Sequence, residues 1–300
     1  MDIDVFFQGL STVFASGDQE AVSGYLRRSL AEAEAENDSH AAVTILNEMT
    51  GYFRSISNYA EALKASERAI ALMQSLGYEN TAAYGTTLLN AGTAYRAAGD
   101  NIRAMELFFQ ALALFGDHLP ADDHRLAGLF NNIGAIYEET GRYTEALDVL
   151  QQAADILEKH PDMASDAAVV RSNLALILLR VQRDAEAMAA LEKALTLFRR
   201  QGEGEAGRRL SPHYAAALAG MGEVHMRMQE YAKAVEAYEA ALEHIKATFG
   251  ENRDFTVTCR NCALAYEAAG EPKKADGLRK KADEVSAALG LAPEDGVGPR

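Results

Sequence analysis

The chain has 300 residues, 48% of them hydrophobic and 24% charged, with 44 Asp and Glu against 29 Lys and Arg for a net charge of −15. That apolar content excludes a wholly disordered chain. A field of that sign repels phosphate, which argues against nucleic acid and anionic membranes as partners.

The chain has six prolines and no Trp, and its abundant Ala, Leu and Glu favour helices, because these three lose little freedom in a helix. The longest apolar run, Leu174 to Leu179, is far too short to span a bilayer. At the start, MDIDVFFQGLS carries acids where a secretory leader carries bases. Two cysteines make no disulfide framework. The expectation is a soluble, cytoplasmic, mostly helical protein.

In chain order the predicted elements repeat. A degenerate first copy lies around Leu10, Val13 and Gly17. Clearer copies run from Leu88 (LLNAGTAYRAAGDNIRAMELFFQALALF), Phe130 (FNNIGAIYEETGRYTEALDVLQQAADIL) and Arg260 (RNCALAYEAAGEPKKADGLRKKA). In register they give a small-residue column of Thr50, Gly92, Gly134, Ala175, Gly222 and Ala263. Three residues on stands a large column of Phe53, Tyr95, Tyr137, Leu178, His225 and Tyr266. A turn column follows at Ser57, Gly99, Gly141, Gln182, Gln229 and Gly270. Two further columns are Ala throughout: Ala62, Ala104, Ala146, Ala187, Ala234 and Ala275, then Ala69, Ala111, Ala153, Ala194, Ala241 and Ala282.

Each column has a physical reason. A small residue lets the first helix of a unit, helix A, approach the second, helix B. The large residue, on the same face, fills the space above that contact. The turn residue takes a left-handed backbone. The Ala columns are two helical turns apart and share one stripe of helix B.

The small-column spacings of 42, 42, 41, 47 and 41 residues divide the chain into repeats at about 3–37, 38–78, 79–119, 120–161, 162–202, 209–250 and 251–289. The 47-residue interval contains QGEGEAGRRLSP, residues 201–212, which reads as a lengthened loop. The tail from Gly290 is too rich in Gly and Pro to pack and is expected to be disordered. A repeat array contacts only its neighbours, so residues 1–289 are expected to form one quasi-linear domain.

This pattern resembles the tetratricopeptide repeat, and its period resembles the longer-helix variant of kinesin light chains. The resemblance implies an all-α class, an α-α superhelix of about seven antiparallel helix pairs. Two departures stand out: Trp is absent, and Arg171 occupies a position that is mostly apolar elsewhere.

Chemistry-bearing motifs are few. Gly202, Gly204 and Gly207 match a dinucleotide-binding spacing, but they follow a helix, and Glu203 and Glu205 would repel a pyrophosphate. Cys259 and Cys262 form a CxxC that register places mid-helix, as core. The seven histidines show no metal spacing, and His225 reads as a packing residue in the large column. Asp122 or Asp123 is a candidate N-cap. No nucleophile elbow or phosphate loop is present. The reading is therefore non-enzymatic, with no catalytic residue, metal or cofactor.

Asparagine recurs two residues before the small column, at Asn90, Asn132, Asn173 and Asn261, with Glu48 and Gly220 in the other units. Asn47 and Asn131 stand one residue earlier. Asn is a mediocre helix former, so its recurrence inside helices needs a reason. The resemblance implies that this column faces a concave groove, where asparagines grip the backbone of a bound peptide. A carboxamide suits that, since it both donates and accepts. Neighbouring A helices about 10 Å apart match about three residues of extended peptide. Hydrogen bonding between neighbouring helices is the other reading, and both stand.

Arg54, Arg96, Arg180 and Arg227 recur along the same face, with Arg260 nearby, and guanidinium groups suit carboxylates. Glu48, Glu138, Glu139, Glu223 and Glu267 share these columns and balance the charge. A solvated charged face is the equal alternative. The lysines of a co-chaperone carboxylate clamp are missing.

The expected function is a scaffold that holds an extended segment of a protein or peptide of unknown identity. One alternative is a peptide-sensing regulatory subunit acting through a separate effector, since the first repeat starts within ten residues and leaves no room for an output unit. The other is a structural subunit that self-associates through the first repeat, with Phe6, Phe7 and Phe14 as the contact.

Overall fold

A computed structural model describes residues 1–201 and 212–291. Of the loop expected over 201–212, Gln201 and Pro212 belong to helices and 202–211 lie outside the described residues. Of the tail expected from Gly290, Gly290 and Leu291 close the last helix by backbone bonds to Ala287 and Ser286, and residues from 292 lie outside the described residues. The chain forms two compact units, Met1–Ile136 and Tyr137–Arg300. The first holds α1 (Ile3–Ala15), α2 (Gln19–Ala35), α3 (Ser39–Ser55), α4 (Tyr59–Ser75), α5 (Ala82–Ala97), α6 (Asn101–His118) and most of α7 (His124–Glu139). The second holds the end of α7, α8 (Tyr143–Leu157), a 3-10 turn (Pro161–Met163), α9 (Ala164–Arg180), α10 (Asp184–Gln201), α11 (Pro212–Arg227), α12 (Tyr231–Phe249), α13 (Arg253–Ala268) and α14 (Pro272–Ala288). The described residues contain no strand. Odd-numbered helices are the A helices and even-numbered ones the B helices of seven pairs.

Helix starts follow from short polar side chains. Asp2, Asp18, Asp38, Asn58, Thr81, Asp100 and Asn252 each accept a backbone N–H from the first turn of the helix that follows. The ends of the A helices follow from the turn column. Its backbone is left-handed at Gly17, Gly99, Gly141 and Gly270, and equally at Ser57, Gln182 and Gln229, whose φ is 59°, 60° and 60°. One residue later a backbone N–H reaches back five residues, as in a Schellman motif. Asn58, Asp100, Arg142, Arg183, Glu230 and Glu271 donate to the carbonyls of Phe53, Tyr95, Tyr137, Leu178, His225 and Tyr266. The acceptors are the large column, so one register fixes both the packing residue and the helix stop.

Within each unit the pairs pack as their small residues allow. All twelve alanines of the two Ala columns are fully buried. A Cβ at Gly92 would lie 2.5 Å from the Phe108 ring of α6, and one at Gly222 would lie 2.7 Å from the Tyr238 ring of α12. Real Cβ atoms do not sit that close, so the aromatic of helix B occupies the space that glycine leaves. Helix-A tyrosines also reach the preceding helix B: the Tyr95 hydroxyl donates to Glu67 at 2.7 Å, and Tyr266 donates likewise to Glu239.

Arg171 is buried despite its charge. Its Nε donates to Glu158 at 2.9 Å and Nη1 to Gln151 at 3.2 Å, and Nη2 also meets Glu158. Lys193 of α10 lies 2.6 Å from the same carboxylate. A shared Glu158 thus links α9 and α10 to the end of α8, which is how a guanidinium is tolerated at an apolar position.

Candidate functional site

In the first unit, Asn47 and Arg54 lie seven residues apart on one stripe of α3, beside Asn90 and Arg96 of α5. Asn47 donates its Nδ2 to the Thr87 hydroxyl at 3.1 Å and accepts from Asn90 Nδ2 at 3.4 Å. All three side chains therefore tie one A helix to the next. Asn47 and Asn90 are only half-buried, and each keeps an N–H and an acceptor lone pair unused by these bonds.

Arg54 is half-buried, and its guanidinium has no hydrogen bond or ion pair among the described residues. Burial, and then the guanidinium of Arg96, push its pKa below the usual arginine value. Burial alone raises the carboxyl of Glu48, six residues earlier on α3. On α7, Asn132 turns back on its own helix, donating to the Gly128 carbonyl at 2.8 Å, and Asn131 beside it is half-buried.

In the second unit, Asn173 is half-buried on α9 and Arg180 is exposed at its end. Arg180 acts on Glu138, whose carboxyl is raised by burial in spite of that positive charge. Arg227 is engaged within the chain. It donates to the Leu179 carbonyl at 2.6 Å, to Glu223 at 2.6 Å and to Asp184 at 3.3 Å. It therefore fastens the end of α11 to the α9–α10 turn. His225 is packed as expected but also pairs with Glu230 at 2.7 Å. Asn261 differs from the other asparagines: half-buried on α13, it has no hydrogen-bond partner among the described residues.

Asn261 lines a cavity of about 270 Å³ together with Ala216, Ala219, Gly220, Glu223, Phe249 and Asp254, among others. The register singles out α11 here. At the three face positions where α3 has Thr44, Asn47 and Glu48, α11 has Ala216, Ala219 and Gly220. In the sequence this recess leaves one sign, Gly220 interrupting the asparagine column.

Cys259 and Cys262 are both fully buried. Burial pushes their thiols up to about 11 and about 12, which keeps them protonated and unreactive. Among the described residues no group of three or more His, Cys, Asp or Glu is placed to hold a metal ion, and no helix is long and apolar enough to cross a membrane. At the N-terminus, Phe6 is a core residue at 2% exposure, so it drops out of the expected self-association surface, whereas Val5, Phe7 and Phe14 are exposed.

The family model for the tetratricopeptide repeat matches residues 83–159, 125–200 and 213–282, more than half of the chain. No curated protein matches it significantly. Among solved structures, the apo form of RapI is 13% identical, with 97% of this chain and 76% of that chain covered at a TM-score of 0.71. BtubC (BKLC) from P. vanneervenii is 20% identical, with coverages of 81% and 95% and a TM-score of 0.64. Pseudomonas aeruginosa pilF is 18% identical, with 83% and 94% covered at a TM-score of 0.60. At such identities the likeness is one of fold.

Proposed function

Because the chain belongs to the tetratricopeptide repeat family, whose members are generally protein-interaction scaffolds, we propose that it is a non-catalytic scaffold that holds an extended segment of a partner protein or peptide along its A-helix faces. The observation that carries this is the set of half-buried carboxamides on those faces. Asn47 and Asn90 retain donor and acceptor capacity, and Asn261 is unpartnered among the described residues. Half-buried amides in that state match the alternating N–H and C=O groups of an extended main chain. Arg54, unpaired on the same face of the first unit, suits a carboxylate of such a segment.

The test is binding of labelled random peptides to the wild-type chain and to the Asn90→Ala, Asn132→Ala, Asn261→Ala triple variant. Weaker binding by a variant that stays helical is the expected result. Binders indifferent to all three changes would show that segments are held elsewhere. Self-association is a second reading, favoured by Val5, Phe7 and Phe14, which are 61%, 41% and 47% exposed on α1. Light scattering at two concentrations decides it, since a monomer at the higher one counts against it.

A further inference from the structure

We propose that the recess between α11 and α13 seats one large apolar side chain of the partner segment, and that the segment carries a lysine or arginine beside that anchor. This rests on the scaffold reading above and gives it a ligand chemistry.

Size is the first argument. A cavity of about 270 Å³ falls just below the roughly 300–1,000 Å³ of pockets for drug-sized ligands. It suits one side chain the size of Leu or Phe rather than a whole metabolite.

The walls are the second. Ala215, Ala216, Ala219 and Gly220 leave the α11 side of the recess bare, and Val257 and Thr258 line the α13 side. Phe249, at the end of α12, is 39% exposed. It is held by an edge contact with His244, which stands edge-on to Tyr214 at 4.9 Å. A braced, half-exposed ring gains from being covered, at about 25 cal/mol per Å² of apolar surface.

Polar groups at the recess then choose the segment. Asn261 has an unused amide to meet its main chain. Asp254 is exposed, lines the recess and makes no ion pair among the described residues. The other lining carboxylate, Glu223, already holds Arg227. One unanswered negative charge next to an apolar slot, on a chain of net −15, complements a cationic neighbour of the anchor.

The test uses the full chain and fluorescein-labelled nine-residue peptide pools with a fixed Lys-Leu, Glu-Leu or Lys-Asp centre, read by fluorescence anisotropy. The Lys-Leu pool is expected to bind best. Filling the recess by Ala219→Phe, or by Ala216→Leu at an exposed position should the first variant lose its helical signal, is expected to weaken binding at least tenfold. Asp254→Asn is expected to weaken it about threefold and to flatten its salt dependence. Equal binding of the Lys-Leu pool to wild type and filled variants overturns the recess while leaving the scaffold reading intact. Preference for the Glu-Leu or Lys-Asp pool overturns the assigned chemistry. Binding by no pool overturns both readings.

Discussion

Asn90 of α5 donates its carboxamide N–H to Oδ1 of Asn47 on α3 across 3.4 Å, while Asn47 donates onward to the Thr87 hydroxyl. Asn261 has the same side chain, one position away in register, and bonds to no described residue. The two asparagines should therefore separate stability from binding. Asn47→Ala removes two hydrogen bonds, each worth about 1 kcal/mol net, and should lower stability by about 1–2 kcal/mol in urea titrations followed by circular dichroism. Asn261→Ala should stay within about 0.5 kcal/mol of wild type. A loss at Asn261 matching that at Asn47 would give it a structural role instead.

Glycines that look alike in the sequence should respond oppositely to Ala. Apart from its chain neighbours and the backbone of its own helix, Gly51 in α3 has no atom within 4 Å of where a Cβ would stand, so Gly51→Ala should gain up to about 1 kcal/mol of helix propensity. At Gly92 the new Cβ would meet the Phe108 ring at 2.5 Å and the Ala104 carbonyl at 3.2 Å. The backbone carbonyl cannot rotate away, so overpacking of about 1–3 kcal/mol should outweigh the propensity gain. Melting temperatures of the two variants should move in opposite directions from wild type.

The same contrast marks how far the sequence could be read. The Ala columns, the small column and the turn column carry backbone and packing constraints that only a few side chains satisfy. Their register therefore foretold full burial at Ala104 and Ala194 and a left-handed turn even at Gln182. Polar residues carry no such constraint. Nothing in the sequence distinguishes an asparagine that bonds a neighbouring helix, such as Asn47, from one that turns on its own helix, such as Asn132. Likewise Arg227 and Arg54 sit on the same expected face. Arg227 has acceptors at the α9–α10 turn and α11 within reach, whereas Arg54 has a second guanidinium beside it. A recess made by what side chains lack, as at Ala219 and Gly220, leaves only an interrupted column as its trace.

The left-handed turn at Gln182 has a further consequence. A β-carbon in that conformation costs about 1–2 kcal/mol, which the fold imposes because the Arg183 N–H must reach the Leu178 carbonyl at 2.9 Å. Gln182→Gly relieves that strain but adds freedom to the unfolded chain, about 0.5–1 kcal/mol. The net expectation is a gain of up to about 1 kcal/mol, with Gln229→Gly behaving alike. At Gly99, where φ is 88°, Gly99→Ala should lose about 1 kcal/mol. Thermal melts of the three variants check this, and a destabilised Gln182→Gly would mean that its side chain contributes more than the strain costs.

Acid stability should report on Asp123. Its carboxylate accepts from the Arg125 backbone N–H at 2.9 Å and from Nε and Nη2 of the same residue at 2.8 Å each. These bonds cap α7 and place the guanidinium over the Phe115 ring, 5.9 Å from its centre. The Arg125 side chain is the main cause that holds the Asp123 pKa at about 2 rather than its ordinary 3.8, against a smaller opposing effect of burial. A lowered folded-state pKa stabilises the fold fully above the ordinary value and progressively less as pH falls toward about 2. Asn keeps the capping oxygen but not the charge, so Asp123→Asn isolates the ionic part, on the order of 1–2 kcal/mol after solvent screening. Denaturant titrations of both proteins should differ by that amount at pH 6 and converge between pH 4 and pH 2. A difference that persists undiminished at pH 2 would mean that the substitution acts through packing rather than charge.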